Sequence, residues 1–315
     1  MEQTIKSKNN SAFEDNHLTF NPKNLNAKYG CSVLFNDGKS QNEVRYKLDI
    51  SFIGNIEDRK NIFLINREEK VYVNDIIQNN FIDKLGLETS KCLYPLEIKT
   101  NSNGKLVEIL NFEAISSRWK KTKERLREDY KSSLTEKYIN ATEKSLISKD
   151  VLLGKINKDW FINLYFKSIY KFYSEDLYID EKLSYPILGS VKPVEYTVRS
   201  KIQLNEDTND IRLDINGNID DERCGLDLEQ KLDNPHYKEL DKNEKPLLGS
   251  CNLIYLFEGE TGVIKAIEAE FETHFTIPKK ILVKLFLLKK LEDKNAFLIE
   301  EEKETKTGFW SKIFK

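Results

Sequence analysis

The amino-acid sequence predicts an α+β protein in which two antiparallel β-rich lobes flank a central helical layer. Three observations support this fold class. Apolar and polar residues alternate over 44–52 and again over 194–204, as they do in half-buried strands. Between these regions, residues 112–173 place apolar side chains three or four positions apart, as helices do. The 315-residue chain is 39% hydrophobic and 11% aromatic, which is enough for a core and excludes a disordered protein.

The sequence pattern divides the chain into five segments. Residues 1–40 are polar and predict a flexible N-terminal arm. We expect residues 41–111 to form the first β-rich lobe, 112–175 the helical layer and 190–291 the second lobe. Residues 292–315 predict a charged tether followed by an aromatic tail.

The first lobe combines strands with one helix. Strands are expected from Val44 onward, and a helix is expected to begin at the N-cap Asn74 and to end at Gly86. A β-hairpin follows, with its turn at residues 101–104.

The helical layer is predicted to hold three helices, over 112–130, over 133–147 and from Asn157 to about residue 173. The first is basic, since residues 116–149 hold ten Lys and Arg against five Asp and Glu. The third is rich in aromatic residues. A basic helix and aromatic rings suit nucleic-acid binding, but a basic helix is more often a solvated face and an aromatic-rich helix more often belongs to the core, so we do not favour nucleic acid as a partner.

The second lobe is predicted to begin with strands from Val194 and to turn at Asn216-Gly217. A long acidic loop is expected over 220–246, then a hairpin that turns near Gly262, and a last buried strand over 281–288.

The two lobes resemble each other in pattern. If the hairpins are aligned, Leu96 matches Ile254 and Leu106 matches Ile264. An internal repeat would explain this match, but any two amphipathic hairpins alternate with the same period. Both interpretations remain open.

Composition and cysteine usage favour a cytoplasmic protein. Lys and Arg (50) nearly balance Asp and Glu (52), so the chain carries no overall field that attracts nucleic acid or an anionic membrane. The cysteines, Cys31, Cys92, Cys224 and Cys251, are scattered as reduced thiols usually are, and we expect neither a metal nor a cofactor. The Lys-, Asn- and Ile-rich composition suggests an AT-rich genome, and the general character of the sequence is that of a bacterial protein.

One strand offers the best candidate catalytic residues. Glu268, Glu270, Glu272 and His274 share one side of a predicted strand, and three carboxylates with an imidazole could hold a divalent cation or divide acid and base roles. The alternative is a solvated sheet face, with Lys284 on the next strand as a cross-strand partner.

The end of the sequence offers a candidate partner-binding site. Phe309, Trp310, Ile313 and Phe314 are large apolar residues that follow a charged stretch. On a short helix they would share one face, which is an aggregation hazard unless it is covered. It could dock on a protein partner, on the chain's own β lobe or on a membrane surface.

The sequence therefore favours a non-catalytic protein that takes part in protein–protein interaction or self-association, as an assembly component of a bacterial cytoplasmic complex. A first alternative is a carrier whose curved sheets cradle an apolar ligand or lipid. A second is a hydrolase that uses the acidic strand.

Overall fold

The computed structural model describes residues 12–56, 60–77, 80–205, 207–241 and 244–291, with the side chain of Lys238 excepted. The strands are β1 (Phe13–Glu14), β2 (His17–Leu18), β3 (Asn26–Asn36), β4 (Gln41–Ile56), β5 (Lys60–Arg67), β6 (Tyr72–Val73), β7 (Ile76–Ile77), β8 (Leu96–Thr100), β9 (Leu106–Ile109), β10 (Tyr178–Tyr185), β11 (Val194–Asn205), β12 (Asp210–Ile219), β13 (Gly249–Glu258), β14 (Ile264–Thr273) and β15 (Lys279–Lys290). The helices are α1 (Phe81–Lys91), α2 (Phe112–Asp129), α3 (Ser133–Ser145), α4 (Lys149–Ile156), α5 (Trp160–Tyr165), α6 (Gly225–Glu229) and α7 (Tyr237–Leu240).

Thirteen of the described strands form one antiparallel sheet, so the α+β class and the antiparallel sheet are confirmed. The order along the sheet is β10-β11-β12-β13-β14-β15-β3-β4-β5-β8-β9, with β6 and β7 attached to β4. The two β-rich regions meet where β15 pairs with β3, for example at Val283 and Val33. They are therefore two halves of a single sheet.

The structure does not confirm the internal repeat. Leu96 is buried on the inner face of the sheet, whereas Ile254, its partner in the alignment, is only half-buried between the inward-facing Leu253 and Tyr255. Leu106 and Ile264 are both buried. In one strand of the hairpin, the predicted alignment therefore matches two buried residues. In the other strand it matches a residue on the inner face of the sheet with one on the opposite face.

The predicted flexible arm is wrong for residues 26–36, because these form β3 at the centre of the sheet. The inward side chains of β3 include Ala27, Tyr29, Cys31 and Val33, which are buried. Ala27 and Cys31 carry a weaker hydrophobic signal than the large apolar residues of the neighbouring strands do.

Residues 160–173 fill the inside of this sheet. The buried aromatic side chains of the segment are Trp160, Phe161, Tyr165, Phe166, Tyr170 and Tyr173. The ring of Tyr165 lies 5.1 Å from that of Tyr29 on β3, and the ring of Trp160 lies 5.0 Å from that of Phe271 on β14. Both halves of the sheet therefore pack on the same short segment.

The residues that follow α5 also connect the two outermost strands. The backbone N–H of Leu106 on β9 donates to the carbonyl of Phe166, and the ammonium group of Lys167 donates to the carbonyl of Ser184 on β10 (2.7 Å). The seam between the two ends of the sheet is thus held by the chain segment that fills its interior.

Helices α1, α2 and α3 form a separate helical module, with a small hydrophobic core of its own. Its buried apolar residues are Leu85, Cys92, Trp119, Leu126 and Ile139. The predicted helical layer over 112–175 is therefore divided in the structure, since α2 and α3 belong to this module and α5 belongs to the main core.

The guanidinium group of Arg118 fastens α2 to the end of α1. It donates to the carbonyl of Cys92 (2.8 Å), the C-cap residue of α1, and to the carbonyl of Pro95 (2.9 Å) in the loop that follows.

The helix predicted from Asn74 to Gly86 is wrong in its bounds. Helix α1 begins at Phe81, after the N-cap Asn80, and continues past Gly86. Asn74 and Asp75 have positive φ angles (52° and 68°) and form the two-residue turn between β6 and β7. Asn and Asp tolerate this conformation, so residue types that cap helices also form hairpin turns.

Candidate interaction surface

The glutamate side chains of β14 lie on the outer face of the sheet, where lysines of β15 neutralise them. The Nζ atom of Lys284 lies 3.0 Å from Oε1 of Glu268. The Nζ atom of Lys280 lies 2.6 Å from Oε1 of Glu270 and 3.2 Å from Oε1 of Glu272, and the hydrogen bond that Lys280 donates to Glu270 raises the pKa of this lysine. The carboxylates are therefore engaged across strands, as charged neighbours on an exposed face usually are.

The fourth residue of that set lies beyond the strand. His274 follows the end of β14 at Thr273, is exposed, and donates its backbone N–H to the carbonyl of Leu248 (2.9 Å). Within the described ranges, no three His, Cys, Asp or Glu side chains come together as a metal site would require. A catalytic role for Glu268, Glu270, Glu272 and His274 remains an untested prediction.

The space that a carrier would need is occupied by protein. The inner face of the sheet meets the aromatic segment 160–173, whose polar groups also bond within the core. The hydroxyl of Tyr255 donates to the carbonyl of Leu164 (3.1 Å), and the hydroxyl of Tyr170 donates to that of Gly262 (2.9 Å). These contacts indicate that protein side chains fill this part of the interior.

Most basic side chains of α2 have partners inside the helical module. Arg127 forms a two-point hydrogen bond with Glu136 (2.9 Å for each contact), which lowers the pKa of that carboxyl. Lys123 pairs with Glu143 (2.7 Å), and Arg125 pairs with Glu88. Two further lysines, at 120 and 121, are exposed and have no carboxylate partner in the part of the chain that the structure describes.

One group of exposed apolar residues lies at the start of the helical module. Ile76 and Ile77 on β7 are 65% and 44% exposed, and Phe81 and Ile82 at the start of α1 are 37% and 51% exposed. With the half-buried Leu134 of α3, these residues are here called the α1 face.

Part of the α1 face is concave. A groove of about 450 Å³ lies between α1 and α3, lined by Asn80, Phe81, Ile82, Asp83 and Leu134. Its floor is almost wholly apolar. Asn80 and Asp83 lie at one end of the groove. A hydrogen bond holds them in place, because the Oδ1 atom of Asn80 accepts the backbone N–H of Asp83 (2.9 Å) as the N-cap of α1.

Three lysines neighbour residues of the α1 face. Lys84 lies one turn after Phe81 on α1, and Lys137 lies one turn after Leu134 on α3. Lys131 follows Tyr130, whose ring lies 5.4 Å from that of Phe81. The three lysines are exposed and, among the described residues, have no acidic partner. The surface therefore joins an apolar groove, which has the carboxylate of Asp83 at one end, to three exposed lysines.

The predicted tail residues Phe309, Trp310, Ile313 and Phe314 lie outside the described residues. In the described part of the chain, every helix is too short or too polar to cross a lipid bilayer.

Sequence reasoning missed the α1 face because it predicted a helix from Asn74 to Gly86, and the spacing of Ile76, Ile77 and Ile82 fits the apolar side of such a helix. The available signal was Asn74-Asp75 between short apolar pairs, which is typical of a tight hairpin. Because a hairpin replaces the first turn of the predicted helix, Ile76 and Ile77 are exposed to solvent and do not face the core.

No protein-family model matches the chain, and the comparison with curated proteins finds no relative.

Proposed function

We propose that this chain is a non-catalytic interaction protein that binds another protein through the α1 face. The observation that supports the proposal is the exposure of Ile76, Ile77, Phe81 and Ile82 within seven residues of chain. Large apolar side chains clustered in contact with water are unfavourable unless another surface covers them, and such clusters are typical of protein–protein contacts.

The groove and its surroundings favour a particular class of partner segment. A groove between two helices suits an apolar strip on a short helix, which would place its side chains against Phe81, Ile82 and Leu134. The lysines around the α1 face favour acidic residues beside that strip, because complementary charge speeds association and selects among partners. In this role the large sheet acts as a rigid body that carries the helical module as its contact element.

The two other functions predicted from sequence receive less support. A carrier needs an interior space that the aromatic segment 160–173 fills, and a hydrolase needs free acid and base groups where Lys280 and Lys284 pair with the glutamates.

Photo-crosslinking in cells tests the proposal. A benzophenone amino acid is placed at Ile82 of the full chain, and in a matched control at Ile147, which is 75% exposed but does not line the groove. We expect a discrete adduct with one other protein from position 82 only. The substitution Ile82→Glu should abolish co-purification of that protein, while Ile147→Glu should not. Equal adducts from both positions, or none from position 82, would refute the proposal.

A further inference from the structure

We propose that the α1 face of one copy of this chain binds a second copy, through a surface that helices α6 and α7 form. This inference rests on the proposed function, because it names the protein that occupies the same α1 face. The second surface is here called the α6–α7 face, and it is defined by four exposed apolar residues, Leu226, Leu240, Leu248 and Ile277.

Hydrogen bonds join the elements of the α6–α7 face at one end of the sheet. The carboxylate of Glu229, one turn after Leu226 on α6, accepts the backbone N–H of Thr276 (2.8 Å), which is the neighbour of Ile277. A β-bridge connects the residue before α6 to the segment that leads into Leu248. Three of the four apolar residues therefore lie on segments that contact α6.

The fourth residue, Leu240, lies at the end of α7. The Oδ1 atom of Asp227 on α6 accepts the backbone N–H groups of His236 (2.9 Å) and Tyr237 (2.8 Å), so α7 is fixed against α6. Leu240 is 72% exposed, and Glu239 beside it is exposed as well. Helix α7 thus presents an apolar side chain with an acidic residue beside it.

This description of α7 matches the partner segment that the groove between α1 and α3 favours. The groove accepts an apolar side chain from a short helix, and its apolar floor consists of Phe81, Ile82 and Leu134. Leu240 of a second copy is the side chain that would enter it. An exposed leucine that leaves water for such a site gains the full hydrophobic contribution of its burial.

Regional charge favours contact between the two different faces. Residues 205–245, which include α6 and α7, contain thirteen acidic and six basic residues. Residues 116–149, which include most of α2 and all of α3, contain ten basic and five acidic residues. Two faces of the same kind would bring like charges together, whereas an α1 face against an α6–α7 face brings opposite charges together.

The charges next to the groove agree with the regional charge. Lys84, Lys131 and Lys137 are exposed beside the α1 face. Asp83 is the acidic residue among those that line the groove, and its carboxylate accepts a hydrogen bond from the side-chain amide of Asn80. The three lysines outnumber this carboxylate, so an acidic surface is attracted to the α1 face, and the attraction weakens as salt rises.

A second copy covers two apolar surfaces with one contact. Within a single copy the two faces do not cover each other, because the apolar side chains of both are exposed. A contact between copies removes both sets from water, whereas a partner of another sequence on the α1 face would leave the α6–α7 face uncovered. Because the two faces differ, the contact is head-to-tail, and successive copies form a ring or an open chain.

Sedimentation velocity of the purified full chain tests the inference. We expect oligomers that grow with protein concentration and dissociate as salt rises. Ile82→Glu and Leu240→Glu should each weaken self-association by about tenfold or more, whereas Ile147→Glu should associate as the parent chain does. A parent chain that stays monomeric throughout the micromolar range would overturn the inference, and so would a Leu240→Glu variant that associates as strongly as the parent.

A mixture of the two variants tests the head-to-tail arrangement. Ile82→Glu retains an intact α6–α7 face, and Leu240→Glu retains an intact α1 face. Together they should form a dimer with one copy of each variant, which cannot grow further. Native mass spectrometry with one variant labelled with ¹⁵N measures this dimer, and its absence would overturn the inference.

Crosslinking separates this inference from the proposed function. With the benzophenone amino acid at position 82 of the purified chain, we expect a crosslink to residues 226–248 of a second copy, identified in a mixture of light and ¹⁵N-labelled protein. A crosslink within one chain would overturn the inference. A foreign protein captured at position 82 in cells, without contact between purified copies, would leave the proposed function standing and refute only this inference. No adduct from position 82 in either setting would refute both.

Discussion

The ammonium nitrogen of Lys167 lies 4.1 Å from the centre of the Tyr185 ring, in the seam between the two ends of the sheet. It also donates to the carbonyl of Ser184 (2.7 Å) and to Oδ1 of Asn163 (3.1 Å). Removal of the amine from water, with a smaller effect from nearby Lys105, lowers its pKa to about 7, although Cys251 and Glu181 act in the opposite direction. The amine is therefore largely neutral at mildly alkaline pH.

This arrangement predicts that the free energy of unfolding rises with pH between about 7 and 9.5. The pKa of Lys167 is lower in the folded than in the unfolded chain, so unfolding binds a proton across this range and stability increases with pH by as much as about 1.4 kcal/mol per pH unit. Below the folded pKa the slope disappears. Denaturant titrations at a series of pH values measure it.

The substitution Lys167→Met should remove this slope, while Lys201→Met, at an exposed lysine on β11, should retain it. A slope that survives Lys167→Met would show that another group is responsible.

A pair of glycines should respond to alanine in opposite directions. A Cβ atom at Gly217 in β12 would lie 2.3 Å from the carbonyl oxygen of Thr197 and 2.8 Å from the Cα of Val198, so backbone would have to move. Gly154 is exposed in α4, and a Cβ there meets nothing within 4 Å. We expect Gly217→Ala to destabilise the fold by more than about 2 kcal/mol and Gly154→Ala to stabilise it by about 0.5–1 kcal/mol.

Thermal and denaturant unfolding of the two variants measure these effects under identical conditions. A neutral Gly217→Ala variant would mean that β11 and β12 do not approach as closely as the structure indicates.

The same glycine illustrates where sequence reasoning ends. Asn216-Gly217 between alternating apolar residues predicts a turn, but the glycine is present because two strands approach closely, and local pattern cannot distinguish the two. By contrast, strong alternation predicted β4, β11 and β15 correctly, since their inward side chains are large and apolar.

Long-range pairing explains the other failures. The strand β3 has small inward residues such as Ala27 and Cys31, and it gains its place through β15, about 250 residues away. The aromatic richness of residues 157–173 indicated a core helix, but the sequence did not indicate that both halves of one sheet would enclose it. The α1 face depends on the position of one hairpin turn at Asn74, which tertiary contacts with β4 determine.

The outer acidic strand should tolerate loss of its charges. Glu268, Glu270 and Glu272 form partly exposed pairs with Lys284 and Lys280, and such pairs contribute less than about 1 kcal/mol each because water screens them. We expect the triple substitution E268Q/E270Q/E272Q to leave the fold intact and to lower the free energy of unfolding by no more than about 2 kcal/mol.

Denaturant unfolding at low and high salt measures this effect, and the difference from the parent chain should shrink as salt rises. A larger loss that salt does not reduce would indicate that the three carboxylates have a role beyond surface pairing.

Asp227 should control stability in acid. Its buried carboxylate accepts the backbone N–H groups of Cys224 (2.9 Å), His236 (2.9 Å) and Tyr237 (2.8 Å), which fixes α6 against the start of α7. Burial opposes ionisation, but these hydrogen bonds outweigh it and lower the pKa of Asp227 to about 2. The ionised group therefore contributes about 2 kcal/mol above pH 4, and this contribution is lost as pH falls through 2.

The substitution Asp227→Asn should consequently destabilise the chain by about 2 kcal/mol at pH 6, since an amide NH₂ must then face a backbone donor. The deficit relative to the parent should narrow below pH 4, because the parent carboxyl becomes protonated there. Asp176→Asn, at an exposed carboxylate, is the matched control and should show no deficit at either pH. Denaturant titration of the three proteins from pH 6 to pH 2.5 provides the measurement. A deficit that stays constant down to pH 2.5 would mean that the charge of Asp227 does not stabilise this loop, and that only the shape of its side chain does.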